Sequence, residues 1–182
     1  MARLSLAVVL ASAIAVSSAA QAPSLAPFVP TPMDVVDRML KLAKVGPNDV
    51  VYDLGCGDGR IVIAAAEKFG ARGVGVDINP RLIADANAAA KAAGVASRVE
   101  FFLQDAMTVD LTDATVVTLY LLSASNVRLR PVLTRQLRSG ARIVAHEFPI
   151  GDWEPDVVDN FIDVMGAKRT LFLWNFDGEY RP

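Results

Sequence analysis

The sequence predicts an α/β protein built on a doubly wound, mostly parallel sheet with an antiparallel C-terminal hairpin. Three observations carry that expectation. Apolar, β-branched runs alternate with helical patterns along the chain, residues 50–54 run into a glycine-rich turn that opens a helix, and the last two runs are joined by a short glycine-containing link. Alternating strands and helices imply parallel pairing through crossovers, and a closing pair implies a hairpin at one edge.

The elements follow in order. After a proline-containing linker at 23–30, Thr31-Pro32-Met33-Asp34 offers an N-cap hydroxyl, a proline at the first helical position and an acid in the first turn. A helix is expected to about Lys44, with Val35, Val36, Met39, Leu40 and Ala43 at helical spacing and Gly46-Pro47 as its stop. The first strand follows at 50–54, Gly59 opens a second helix through Phe69 to Gly70, and a second strand ends at Asp77. Asn79-Pro80 caps an alanine-rich third helix that ends at Gly94, and the third strand covers 99–103. Residues 114–120 have the near-continuous apolar character of a strand buried on both faces, the central position of a parallel sheet. A helix over 127–137 ending at Ser139-Gly140, a fifth strand at 141–146, and a hairpin of 157–164 with 170–176 through Gly166-Ala167-Lys168 complete the chain.

The 182 residues suit one domain, expected at 31–182. A net charge of −2 and an isoelectric point near 5.4 provide no basic footprint, which disfavours nucleic acid as a partner. The single cysteine, Cys56, allows no intrachain disulfide and no metal cluster, and its small size explains its place in the glycine turn. Met1-Ala2-Arg3, the apolar run at 4–16 and the small residues up to Ala22 match the three regions of a secretory signal peptide, expected at 1–22. That run is too short for a stable membrane span. Cleavage would export the domain to the periplasm or medium, in conflict with a cofactor expected in the cytosol; an uncleaved leader would leave it cytoplasmic.

Chemistry concentrates in Asp53-Leu54-Gly55-Cys56-Gly57-Asp58-Gly59-Arg60. Glycines after a strand let the backbone take positive φ and let a nucleotide-like ligand approach the main chain. The dinucleotide fingerprint G-x-G-x-x-G would require a glycine at position 60, which is Arg. Asp53 would repel a pyrophosphate but attract an ammonium group, which favours S-adenosylmethionine over NAD. A second carboxylate, Asp77, ends the next strand 22 positions after Gly55, where an acid meets ribose hydroxyls.

On these residues the chain resembles the class I S-adenosylmethionine-dependent methyltransferases, whose fold is a Rossmann-like seven-strand sheet. Phe28-Val29-Pro30-Thr31-Pro32, the glycine motif, residues 115–122 and residues 142–148 are similar to the small protein-lysine methyltransferases of archaea and mitochondria. The resemblance implies that Asp53 and the turn of Gly55, Gly57 and Gly59 hold the methionine end of the cofactor, that Asp77 binds the ribose, and that Asp105 receives the adenine amino group. It implies a protein substrate carrying lysine, with no metal. Tyr120 is the first candidate to line the acceptor channel, followed by Trp153 and Phe28. His146, the only histidine, is a candidate general base or proton relay, the alternative being a structural ring hydrogen-bonded to nearby backbone. Thr31 is expected to cap its helix rather than touch the cofactor. The place after the fourth strand lacks the Asn/Asp-Pro-Pro-aromatic turn common among nucleobase amine methyltransferases, and short loops leave no inserted lid for a small molecule, the alternative being that the segment 23–44 itself folds over the cofactor and closes a small pocket. Small-molecule N- or O-methylation, a cofactor-binding module without turnover, and an NAD-dependent oxidoreductase stand as alternatives. The oligomeric state is not legible.

Overall fold

A computed structural model describes residues 25–182, so the expected leader at 1–22 lies outside the described residues. The chain runs α1 (Met33–Leu42), β1 (Val50–Leu54), α2 (Arg60–Phe69), β2 (Arg72–Asp77), α3 (Pro80–Ala92), β3 (Val99–Leu103), a 3-10 turn (Ala106–Thr108), β4 (Val116–Leu119), α4 (Ser123–Gln136), β5 (Arg142–His146), β6 (Val157–Ile162) and β7 (Lys168–Asn175). The seven strands form one sheet in the order β3-β2-β1-β4-β5-β7-β6. Pairs from β3 through β5 are parallel, and β7 is antiparallel to both β5 and β6. The doubly wound sheet with an antiparallel edge is therefore as expected.

Alternating side chains divide each central strand between two cores. Val51, Val116, Val144 and Leu171 join α1 and α2 on one face, while Leu119, Ile143, Ala145 and Trp174 join α4 on the other. A third cluster places Phe101 of β3 against Ala86 and Ala90 of α3 and Val62 of α2. All four residues of β4 are buried, as a strand covered on both faces requires. Among the described residues no helix is long and apolar enough to cross a membrane.

Several boundaries depart from expectation, among them the hairpin, which pairs Val157–Ile162 with Lys168–Asn175 so that Lys168 lies in the strand and not the link. Pro32, not Thr31, is the N-cap of α1, and no side chain caps that helix; Thr31 is instead buried, its carbonyl engaged by Arg60. α1 stops at Leu42 because Lys44 takes a φ of 50° and Val45 N–H returns to Leu40 O. α4 begins one turn earlier than 127, since Ser123-Ala124-Ser125 is helical and Ser125 Oγ donates to Leu25 O rather than to a turn. β4 is confined to four residues, which leaves Tyr120 just beyond the sheet edge.

The order of strands puts a switch point between β1 and β4. Helices diverge to opposite faces there, and the C-terminal strand ends form a crevice suited to ligands.

Candidate active site

β1 leaves the sheet at Leu54 and turns through Gly55, Gly57 and Gly59 with φ of 85°, 54° and 78°. Left-handed backbone at three alternate positions is what glycine permits and other residues resist. Gly55 N–H and Cys56 N–H both donate to Val76 O at 2.9 Å, and Gly57 N–H donates to Asp77 Oδ2 at 3.0 Å. The turn is thus stitched to the end of β2. A Cβ on Gly57 would stand 2.4 Å from the Phe28 ring. Gly59 is different: its missing Cβ makes room for Phe101 and Ala86, and it does not line the cavity. Expected beside the cofactor, it instead lets α3 and β3 press against the start of α2, the packing role of the third glycine in the dinucleotide fingerprint.

A cavity of about 250 Å³ opens above this turn. Asp53, Gly55, Gly57, Asp77, Asp105 and Tyr120 all face it, so five of the six residues expected to bind cofactor, together with the first acceptor candidate, meet at one place. Asp53 is 3% exposed and accepts a hydrogen bond from Thr118 Oγ1 at 2.8 Å. Burial pushes its carboxyl up to about 7; the Thr118 bond opposes that shift, and the nearby Asp77 and Asp58 carboxylates reinforce it. Asp77 also accepts from Asn79 N–H at 2.8 Å, and Asp105 caps the 3-10 turn through Met107 N–H at 2.9 Å. Each carboxylate is oriented by the protein and keeps lone pairs for a ligand. Burial pushes the Cys56 thiol upward, so it is a packing group rather than a nucleophile.

A strap from Leu25 to Thr31 covers the cavity, tied at both ends. Ser125 Oγ donates to Leu25 O at 2.6 Å, and Arg60 Nη1 donates to Thr31 O at 2.8 Å while its other nitrogens grip Asp58. Arg60, singled out in the sequence only as the residue that breaks the dinucleotide fingerprint, is the clamp that seats this strap. Phe28 belongs to the strap and lines the cavity. Trp153 does not: it lies against Trp174, Phe176 and Arg181 in the core beneath α4, with ring centroids 5.8 and 6.2 Å from the first two. Its indole fills space between loop and sheet.

Beside Tyr120 stands an aromatic and charged group at the ends of β5 and β7. The Tyr120 ring lies 4.1 Å from the His146 ring and 6.5 Å from the Phe148 ring. His146 is fully buried behind Tyr120 and does not line the cavity. Neither ring nitrogen has a hydrogen-bond partner, which overturns the expectation of a ring bonded to backbone. Burial, with Arg169 adding to it and Asp163 opposing, pushes the imidazole down to about 4, so it is neutral at ordinary pH. Phe148 and Arg169 come from segments far along the chain that meet Tyr120 only through strand order, so no local pattern marks them as its neighbours. Among the described residues no group of three His, Cys, Asp or Glu could hold a metal ion.

Comparison with known proteins agrees with this geometry. The model of the ANTKMT methyltransferase domain matches residues 53–157. A protein-lysine N-methyltransferase of Saccharolobus islandicus is 48% identical over 149 residues, which cover 81% of this chain and 92% of that protein. The adenine nucleotide translocase lysine N-methyltransferase of Mus musculus is 34% identical over 151 residues, 83% of this chain and 62% of that protein, so the chain spans less than two thirds of that relative. A solved structure described as an RNA methyltransferase from Salinibacter ruber in complex with S-adenosyl-L-homocysteine superposes with a TM-score of 0.78 at 51% identity, over 84% of this chain and 97% of that one.

Proposed function

The chain belongs to the ANTKMT methyltransferase-domain family of S-adenosylmethionine-dependent enzymes, and from that membership we propose that it methylates the side-chain amine of lysine in protein substrates. The observation that carries the choice of acceptor is the 48% identity, over 81% of this chain, with a protein-lysine N-methyltransferase. The cavity that would take the cofactor is lined by Asp53, Asp58, Asp77 and Asp105, with Arg60 neutralised by Asp58.

The site fits S-adenosylmethionine on its own terms. Asp53 fronts the cavity with a buried carboxylate that a single threonine serves, the arrangement an α-ammonium would complete. Asp77, held by Gly57 and Asn79, would receive ribose hydroxyls, and Asp105, held by Met107 N–H, an adenine amine. The bound cofactor supplies an electrophilic methyl group on sulfur. The protein's part is alignment and exclusion of water. Phe28 and the strap shield one side of the cavity, and Tyr120 forms the wall toward the acceptor. A lysine amine must arrive without its proton, from a reference pKa of about 10.4, and apolar and aromatic surroundings lower that value.

The RNA methyltransferase description of the Salinibacter ruber protein favours a second reading, in which the acceptor is RNA. Incubation with methyl-tritiated S-adenosylmethionine and separated protein and RNA fractions of a host lysate decides between them. Methyl-lysine in hydrolysed protein is expected; label confined to RNA would overturn the proposal.

A further inference from the structure

The strap over the cavity is fixed unequally at its two ends. At the C-terminal end Thr31 is buried, its carbonyl accepts from Arg60 Nη1 at 2.8 Å, and Arg60 Nε is itself held by Asp58 Oδ1 at 2.9 Å. α1 follows at once, with Val35, Val36, Met39 and Leu40 wholly buried, so this end moves only if a packed helix moves with it. At the other end Leu25 and Ala26 are half-buried against the core that α4 covers, and Ser125 Oγ donates to Leu25 O. Between the two ends Pro27, Phe28, Val29 and Pro30 are exposed on their outer side while they line the cavity on the inner, a single layer of chain between ligand site and solvent.

Ser125 is a fixed post for the looser end. It is 7% exposed, lies in the first turn of α4, and does not line the cavity. A helical serine ordinarily turns its hydroxyl to its own helix or to water; this one instead reaches a carbonyl 100 residues away in sequence. The post is rigid, since the neighbouring Asn126 Nδ2 donates to Phe148 O at 2.8 Å and Leu129 and Leu133 are wholly buried. The strap is stiff as well, because Pro27 and Pro30 fix φ at two of its positions. Phe28, seated on Gly57 in the middle of the strap, therefore rises or settles with the Leu25 end.

We propose that Ser125 is a positioning residue for the cofactor: its bond to Leu25 latches a strap that pivots about the Arg60 clamp, and the latch sets how fast S-adenosylmethionine enters and S-adenosylhomocysteine leaves. Opening breaks the Ser125–Leu25 bond, swings residues 25–30 outward and lifts Phe28 from the glycine turn, with Thr31 still held. Closing restores the bond and shuts water out of the cavity. The Ser125 hydroxyl does not face the cavity, so weakening the latch favours the open strap equally with and without ligand. Entry and exit then quicken together, while the affinity, which is their ratio, is unchanged. A lost ligand contact behaves otherwise: it quickens exit alone and weakens affinity.

Ser125→Ala in the full chain tests the latch, and since alanine is the residue best suited to a helix, α4 itself is not weakened by the change. Rapid filtration with tritiated S-adenosylhomocysteine measures both rates. Association and dissociation are each expected to rise about two- to tenfold over wild type, the worth of one hydrogen bond, with the calorimetric affinity unchanged. Wild-type rates in the variant overturn the proposal. So does faster dissociation alone with weaker affinity, which makes Ser125 a static support of the site rather than a latch. Neither result depends on which acceptor is methylated, so the latch and the lysine reading stand or fall separately.

Discussion

Phe28 and Gly57 occupy one another's space: a single methyl group added to the glycine would come within 2.4 Å of the phenylalanine ring. The ring packs directly on the glycine and both line the cavity, so the glycine turn and the N-terminal strap are one device. Arg60 enforces the pairing by holding Thr31 O from the first residue of α2.

Gly57→Ala therefore faces two penalties. The residue sits at φ 54°, which costs an alanine about 1–2 kcal/mol, and its Cβ must displace Phe28. Stability should fall by that amount in urea denaturation, and S-adenosylhomocysteine affinity should fall more than tenfold as the strap lifts. Preserved affinity would mean that the strap contributes nothing to binding.

Tyr120 lines the cavity and lies against the buried His146 ring. Burial raises its phenol above the ordinary value, with Arg169 opposing and Glu147 adding to the shift, so it remains protonated at the pH of assay. On the proposed reading it serves as a wall of the site rather than as a base. Tyr120→Phe should lower kcat several-fold with cofactor affinity unchanged by calorimetry; an unchanged rate would remove the hydroxyl from the mechanism.

What the sequence disclosed and what it concealed divide along contact range. The glycine turn, Asp53 and Asp77 are legible because a tight turn and a strand end are defined by residues a few positions apart. β3 is legible to the residue because Val99–Leu103 is bounded by turn signals. The start of α4 is hidden because its first turn has no side-chain cap, only the Leu122 backbone and a serine turned toward the strap. The strap clamp is a contact between residues 29 positions apart, and the meeting of Tyr120 with Arg169 depends on β7 pairing with β5. No periodicity within one segment reports such meetings.

At the opposite, N-terminal edge of the sheet, Arg142 pairs with Asp49 and donates to Ala43 O at 2.7 Å, while Thr115 Oγ1 donates to Asp49 at 2.7 Å. Burial alone would raise Asp49, but the bonds from Thr115, Arg142 and Gly46 N–H outweigh it and hold the carboxyl below its usual range. A depressed carboxylate contributes stability above its unfolded pKa and loses it as pH falls through the folded value. Arg142→Met should destabilise the fold by about 1–3 kcal/mol at pH 7, with a smaller difference under strongly acid conditions. Cofactor affinity should not change, since no cavity residue is touched; a weakened cofactor complex would contradict this separation of scaffold from site.

Asp53 ties cofactor binding to pH. Its carboxyl, raised to about 7 by burial, holds a proton in the free protein below that pH, whereas in the unfolded chain it is ionised above about 4. The raised value therefore costs stability progressively as pH climbs from 4 to 7, and in full above 7. An ammonium group seated against Asp53 favours the charged form and expels the proton. Cofactor affinity should accordingly be flat above pH 7 and fall by up to about tenfold per unit below it, one proton being released per molecule bound. Asp53→Asn should melt at a higher temperature than wild type at pH 8, with little gain at pH 4, and should lose both the affinity and its pH dependence. Calorimetric titrations at pH 6, 7 and 8, each in two buffers of different ionisation heat, measure affinity and proton release together. Affinity independent of pH, with no buffer-dependent heat at pH 6, would show that the ammonium is held elsewhere.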